Sequence, residues 1–358
     1  MSNSKKLFVV TGGTGFVGVE LIHHIIGQGH RVRVLVRTPD KTFEALKNVE
    51  FAYGSVTDQE LVNKSCEGCS GIFHVAGVVD HSRSAAPYVY KVNTDGTRVI
   101  MQAAIKNKCK VVFVSTSGTT AVSKDAKRIA SDETDYAMDV ISNWPYYDSK
   151  RQAEELAREL SKKHGVPLVI IRPSSILGPG NVSLASKKSL EYYRHKSIYK
   201  FLMKKVPWVP GGGLNFCDVR DLVPAIYKAM VTPEANGRTF LIGAVNMSLA
   251  QFFQALEKQT GIAGPKLVVP FSIGWSTISA LNAVRRVAGK DPLFDKVVIE
   301  MAYHFWYFDA HAAQEILNFK ARDWQVTIKD SVQYICEHGH LMGLPHGVPV
   351  LPAPRSKL

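Results

Sequence analysis

The stretch Thr11-Gly12-Gly13-Thr14-Gly15-Phe16-Val17-Gly18 constrains this chain more than any other feature. It follows a β-rich run, Lys6 to Thr11, and opens a helical pattern over Phe16–Gly27. Its glycines have separate duties. Gly12 permits a tight turn, Gly15 lets backbone approach a pyrophosphate, and Gly18 lets the helix pack closely on the strand. The helix N-terminus adds unpaired N–H groups and a positive dipole end, which suit phosphate. A second apolar run follows at Arg31–Val36. Strand, glycine loop, helix and strand in that order predict a dinucleotide site.

Further short apolar runs stand at Gly71–Val75, Val111–Ser115 and Pro167–Ile171, with helical stretches at Asp95–Asn107 and Tyr147–His164. Near-continuous apolar runs suit strands buried on both faces. Their alternation with helices predicts an α/β fold, a doubly wound parallel sheet. The helix after Tyr146 carries Ala153, Leu156, Ala157 and Leu160 on one face, with charges opposite, and His164-Gly165 as a stop signal. After Gly178 the texture changes. Pro179 to Gly213 reads as an insertion with its own short helix. Asp218–Met230 reads as a helix, Thr239–Ile242 as a strand, and Met247–Thr260 and Pro270–Gly289 as helices of a smaller region. The expected division is a cofactor domain over 1–178 plus about 214–246, a substrate region over about 179–213 and 247–345, and a tail over 346–358.

Two groups of residues point to chemistry. The second strand ends at Arg37, with Lys41 close behind, where an NAD site usually carries a carboxylate. A guanidinium can instead bind a 2′-phosphate bidentately, so NADP(H) is the expected cofactor, with NAD(H) also allowed. Tyr146 and Lys150 lie four residues apart, on one helix face. Tyr147 and Arg151 share that spacing, but Lys better supplies a compact charge and hydrogen bonds to a ribose. An ammonium beside a phenol favours the phenolate and brings tyrosine toward acid/base use. Ser115-Thr116-Ser117 ends another apolar strand, where ligands bind in such sheets. Three consecutive hydroxyls leave their register open.

In order and spacing across residues 6–335, the chain resembles an extended short-chain dehydrogenase/reductase. The matching pieces are TGGTGFVG, HVAG at His74–Gly77, NTDGT at Asn93–Thr97, STSGT at Ser115–Thr119, YYDSK at Tyr146–Lys150 and RPSSILGPG at Arg172–Gly180. The texture is most similar to the branch of dihydroflavonol reductases and 3β-hydroxysteroid dehydrogenases. The resemblance implies a Rossmann-type sheet and a Ser–Tyr–Lys mechanism. Ser117 falls at the catalytic serine, Tyr146 carries the proton, and Lys150 lowers the tyrosine pKa and binds the nicotinamide ribose. It also implies cofactor contacts at Ala76, Gly77 and Ser115, a loop held by Asn93, and Pro173 to Ile176 beside the nicotinamide. One departure is Gly54-Ser55-Val56, where the family usually places an Asp near adenine.

The expected activity is therefore interconversion of a ketone and a secondary alcohol on a hydrophobic small molecule. The competing readings are a nucleotide-sugar epimerase or dehydratase that keeps NAD bound, and a non-catalytic NADP-binding protein. Aromatic residues in the variable segments, among them Tyr192, Tyr193, Tyr199, Phe201, Trp208, Trp275, Phe305 and Trp306, favour a sterol-like, acyl or flavonoid-like substrate. The 358 residues carry 44 Lys and Arg against 31 Asp and Glu, a net charge of +13. The basic residues come in scattered pairs rather than one stripe, which argues against nucleic acid and for anionic ligands. Five cysteines, with a single CxxC at Cys66–Cys69, indicate free thiols and no metal site. No window is apolar enough to span a membrane; the nearest, Leu267 to Val284, leaves surface contact open. The terminal Ser356-Lys357-Leu358 matches a peroxisomal address and implies an import receptor as partner. A homodimer is compatible with the family.

Overall fold

The apolar runs form strands β1 (Leu7–Thr11) and β2 (Arg31–Val36); β3 (Val49–Tyr53), a half-buried edge strand that no apolar run marks, follows, and further runs form β4 (Gly71–His74), β5 (Lys110–Val114) and β6 (Leu168–Pro173). Between them in the chain lie helices α1 (Phe16–Gly27), α2 (Gln59–Ser65), α3 (Ala86–Tyr90), α4 (Gly96–Asn107), α5 (Met138–Ile141) and α6 (Pro145–His164). There follow β7 (Ser175–Leu177), α7 (Ser197–Leu202), β8 (Val209–Pro210), β9 (Gly213–Asp218), α8 (Val219–Val231), β10 (Thr239–Ile242), β11 (Val245–Ser248) and α9 (Leu249–Thr260). The chain continues through β12 (Val268–Val269), α10 (Phe271–Val287), α11 (Lys296–Met301), α12 (His311–Leu317) and α13 (Trp324–His338). The structure, a computed structural model, describes residues 5–38, 46–180, 197–290 and 295–338. Lys41, Tyr192, Tyr193 and Ser356-Lys357-Leu358 lie outside the described residues.

Seven strands form one parallel sheet in the order β3-β2-β1-β4-β5-β6-β10. Strand order reverses at β1, so successive helices cover opposite faces and a crevice opens at the carboxyl ends of β1 and β4. Phe8 and Val10 enter one apolar cluster with Phe73, Val112 and Ile171. Val9 enters the other with Ile72, Phe113 and Ile170. Successive side chains point to opposite faces, and both faces are covered; hence the unbroken apolar runs.

Helix α6 starts two residues earlier than its apolar pattern suggested, because Pro145 occupies the first turn, where its missing N–H costs nothing. Lys162, Lys163 and His164 face the negative end of its dipole, and Gly165 closes it at φ 67°. Strands β4 and β5 end one residue before the apolar runs do, at His74 and Val114. That frees Val75–Gly77 and Ser115–Ser117 to form loops over the crevice.

Two small sheets stand outside the main one. The first has the order β11-β9-β7, and the second pairs β8 with β12. Strands of two to six residues give no periodicity to read. The short helix expected in the insertion is α7. All five cysteines are free, and Cys69 Sγ lies 3.6 Å from Cys109 Sγ. Among the described residues, no group of three or more His, Cys, Asp or Glu side chains could hold a metal ion.

Candidate active site

The glycine loop is built around backbone contact. Gly12 has φ 71°, and a Cβ there would lie 2.7 Å from the Ala76 nitrogen. A Cβ on Gly18 would collide with the Gly12 carbonyl oxygen. The turn closes through Gly15 N–H donating to Gly12 O at 3.0 Å. Gly15 begins α1 without a side-chain cap, so backbone alone presents the helix N-terminus to the crevice.

A buried relay ties this loop to its neighbours. Ala76 N–H donates to Thr11 Oγ1 at 3.2 Å, and Thr11 Oγ1 meets His74 Nδ1 at 2.8 Å. His74 Nε2 meets Thr97 Oγ1 at 3.1 Å, and Thr97 donates to Asn93 O at 2.6 Å. Each hydroxyl has one proton to give, so the chain is self-consistent with His74 neutral and protonated at Nε2. Burial, together with the nearby Lys150 charge, pushes the His74 pKa down to about 3. Asn93 sits in a wide π-type turn, Lys91–Asp95, between α3 and α4. Its amide accepts from Val78 N–H at 2.8 Å and donates to Val78 O at 3.1 Å. Asn93 therefore holds the Ala76–Val78 loop rather than offering its amide to a ligand.

The structure brings Tyr146, Lys150 and the three hydroxyls to the same crevice. Tyr147 lines it too, but Arg151 is turned away into ion pairs with Asp148 at 2.8 Å and Glu155 at 2.6 Å. Lys150 is 3% exposed, and its Nζ donates to Val114 O at 2.9 Å and lies 4.8 Å over the Phe113 ring. Burial lowers its pKa to about 8, against the opposing pull of Glu154. Tyr146 moves the other way. Burial raises it to about 12, and only a hydrogen bond with Thr116 pulls it down. The Lys150 ammonium points to Val114 O in this arrangement. Ser117 is buried beside Thr116 at the start of a short turn, Ser117–Thr119. His81 stacks on Tyr147, with ring centres 5.6 Å apart, and meets Tyr146 edge-on.

These residues line a single cleft of about 1040 Å³. One end holds the glycine loop, Arg37, Gly54 to Thr57 and Ala76-Gly77. Arg37 is exposed there and donates from Nη1 to Tyr88 Oη at 2.8 Å. Pro173 to Ile176 line the middle. The far end is walled by Trp208, Ile278, Val298, Met301, Tyr303 and Trp306. A nicotinamide dinucleotide fits the near half on two observations. Gly12 and Gly18 pack too closely on neighbouring backbone to admit a Cβ, which sets the uncapped N-terminus of α1 at the cleft, and the Ser115 and Ser174 hydroxyls are buried in the lining with no protein partner.

A doubly wound sheet with a glycine loop at β1 and a Tyr–Lys pair over the same crevice defines a nicotinamide-dinucleotide enzyme. The model of the NAD dependent epimerase/dehydratase family matches residues 8–243, and the chain belongs to that family. It is 28% identical over 340 residues to a putative dihydroflavonol 4-reductase of Synechocystis, covering 93% of this chain and 96% of the relative. It is 27% identical to sterol demethylase protein B of Methylococcus capsulatus, over 73% of this chain and 77% of that one. Cinnamoyl-CoA reductase 1 of Oryza sativa is 29% identical, over 68% and 73%. Among solved structures, gox2253 superposes with a TM-score of 0.76 at 23% identity, covering 94% of this chain and 99% of that one. A UDP-glucose 4-epimerase of Thermotoga maritima, solved with UDP-glucose, gives 0.67 at 20%, over 92% and 99%. The chain is thus an NAD(P)-dependent oxidoreductase-type enzyme of the extended short-chain class.

Sequence reasoning missed three parts of the site. Thr116, next to Ser117, is a hydroxyl that bears on the Tyr146 phenol. Tyr88 holds Arg37. Glu154, one turn after Lys150, forms a buried ion pair with Arg172. A signal for the last existed: Glu154 shares a helix face with Tyr146 and Lys150, and sits beside the buried Ala153 and Ala157.

The position of Lys150 sets a pH dependence. Below about pH 8 the amine is charged and attracts an anionic cofactor; above it the charge is lost. Affinity of the free protein for a nicotinamide dinucleotide should therefore weaken as pH rises through about 8. Fluorescence titration from neutral to alkaline pH measures this, and Lys150→Met should flatten the curve. An unchanged alkaline limb in that variant would assign the titration to another group.

Proposed function

We propose that this enzyme uses NADP(H) to interconvert a ketone and a secondary alcohol on a largely apolar substrate. One observation carries the reading: the glycine loop, the Tyr146–Lys150 pair and an apolar far wall share one cleft. When bound, the nicotinamide supplies hydride. The chain's own residues do the rest. Tyr146 holds the proton that the substrate oxygen receives on reduction. Ser117 and Thr116 offer hydroxyls to orient that oxygen, and Lys150 binds the ribose. The apolar wall excludes water, which strengthens each of these hydrogen bonds. Lys200 and Lys205 also line the cleft and would meet an anionic substituent on the substrate. Relatives named for dihydroflavonol, cinnamoyl-CoA and sterol chemistry support a rigid apolar substrate.

The test follows NADPH and NADH oxidation against steroid, acyl and flavonoid ketones. Net turnover with one of these classes, and preference for NADPH, is the expected result. Arg37→Glu should shift preference toward NADH by roughly tenfold or more, as it removes a charge-assisted bond to the 2′-phosphate and adds a repelling carboxylate. A strong preference for NADH in the unaltered protein would remove the role given to Arg37. Protein that carries bound NAD through purification, and gives no net turnover with ketones, would favour an epimerase.

A further inference from the structure

Helix α10 carries an apolar face that nothing among the described residues covers. Ile273, Thr277, Ala280, Val284 and Val287 recur at steps of four and three, which places them in one stripe. Leu281 flanks it. Ile273 is 57% exposed, Val284 67% and Val287 91%. Only Gly274 and Ile278 of the helix are buried. Leu267 and Val268, just before the helix in the chain, are also exposed. A contiguous exposed patch of this kind marks an interaction surface.

The charge along this segment itself has one sign. From Gly261 to Lys290 the sequence has no Asp or Glu, but it has Lys266, Arg285, Arg286 and Lys290. Lys266 bonds Glu257, while the other three cluster at the end of α10. The chain as a whole is positive by 13.

We propose that α10 docks this enzyme on the surface of an anionic bilayer. The helix would lie in the interface plane, with its stripe in the acyl boundary and its basic residues among the headgroups. Three observations favour a bilayer over a protein groove. The segment carries basic residues and no acidic ones, which suits anionic headgroups. Arg and Lys stems at the end of such a helix can reach headgroups while their chains stay apolar. No described helix is long and apolar enough to cross a membrane, so the helix would rest on the surface. The docking claim stands on the helix alone. Its consequence for catalysis rests on the apolar-substrate reading: Ile278, on the opposite face of α10, lines the cleft, so a membrane-dissolved substrate would enter past this helix.

Co-sedimentation of the full chain with vesicles tests the proposal. Vesicles of phosphatidylcholine are compared with vesicles containing phosphatidylserine. Binding is expected to the anionic vesicles and to weaken with salt. Arg285→Gln with Arg286→Gln should lose roughly tenfold in binding. Val284→Glu with Val287→Glu should abolish it, with NADP(H) affinity, the melting curve and turnover of water-soluble ketones unchanged. Equal binding to neutral vesicles, or binding that survives the Val284/Val287 change, would overturn the proposal. So would a dimer in solution that this change dissolves, since the stripe would then be an interface between copies. Failure of every ketone assay alongside intact vesicle binding would count against the proposed activity and leave the docking surface standing.

Discussion

Tyr146→Phe should lower kcat for ketone reduction by roughly a hundredfold to ten-thousandfold, the usual worth of a positioned proton donor. Cofactor affinity should hardly change, since the variant keeps the ring and Lys150. The prediction rests on burial. The Tyr146 phenol is 8% exposed and held near pKa 12, so it is protonated throughout the neutral range. That is the state reduction needs. Oxidation of the alcohol needs the opposite state, so its rate should rise with pH while reduction stays flat up to the loss of the Lys150 charge. Tyr147→Phe is the control. Tyr147 is packed among Trp144, Trp306 and His81, and should lose far less turnover. An active Tyr146→Phe with a dead Tyr147→Phe would move the acid by one residue. Thr116→Val and Ser117→Ala, compared side by side, show which hydroxyl orients the substrate oxygen. The larger fall in kcat marks the one in contact.

Much of this was legible in the sequence, for identifiable reasons. The main sheet was legible because its strands are covered on both faces, so burial left unbroken apolar runs. The glycine loop was legible because backbone approach and positive φ admit few residues, and Gly12 shows both constraints. The choice between Tyr146 and Tyr147 was open on spacing alone. The structure separates their partners through charge: Arg151 pairs with Asp148 and Glu155 on its own helix, whereas Lys150 is buried beneath the Ala76–Val78 loop. The three-hydroxyl run stayed ambiguous because register in a turn is set by tertiary contacts. Gly118 illustrates this: a Cβ there would strike the Tyr147 and Trp306 rings, a constraint from residues 29 and 188 positions away. Proximity in sequence fixes the helix face that Tyr146 and Lys150 share, but not where the long ammonium stem points, which here is Val114 O.

Glu154→Ala should destabilise the protein by about 3–5 kcal/mol, because it leaves a buried guanidinium without its counter-charge. The Glu154 side chain is fully buried, and Arg172 is 3% exposed. Arg172 Nε donates to both Glu154 oxygens at 3.1 Å, and its Nη2 donates to Oε2 at 2.5 Å. Tyr136 Oη and Thr119 Oγ1 donate to the same carboxylate at 3.1 and 3.3 Å. Together these bonds fasten α6, which carries Tyr146 and Lys150, to β6, whose last residue Pro173 lines the cleft. Two readouts separate this account from simple loss of packing. First, Glu154→Met with Arg172→Met should regain much of the lost melting temperature, since it removes both charges together. Second, Glu154 is the group that pulls the Lys150 pKa up against burial. Its neutral variant Glu154→Gln should therefore move the alkaline fall in NADP(H) affinity to lower pH. A melting temperature unmoved by Glu154→Ala would show that Arg172 finds water or another partner in the unaltered fold. An unmoved pH limb in Glu154→Gln would show that Lys150 does not sense the carboxylate one turn away.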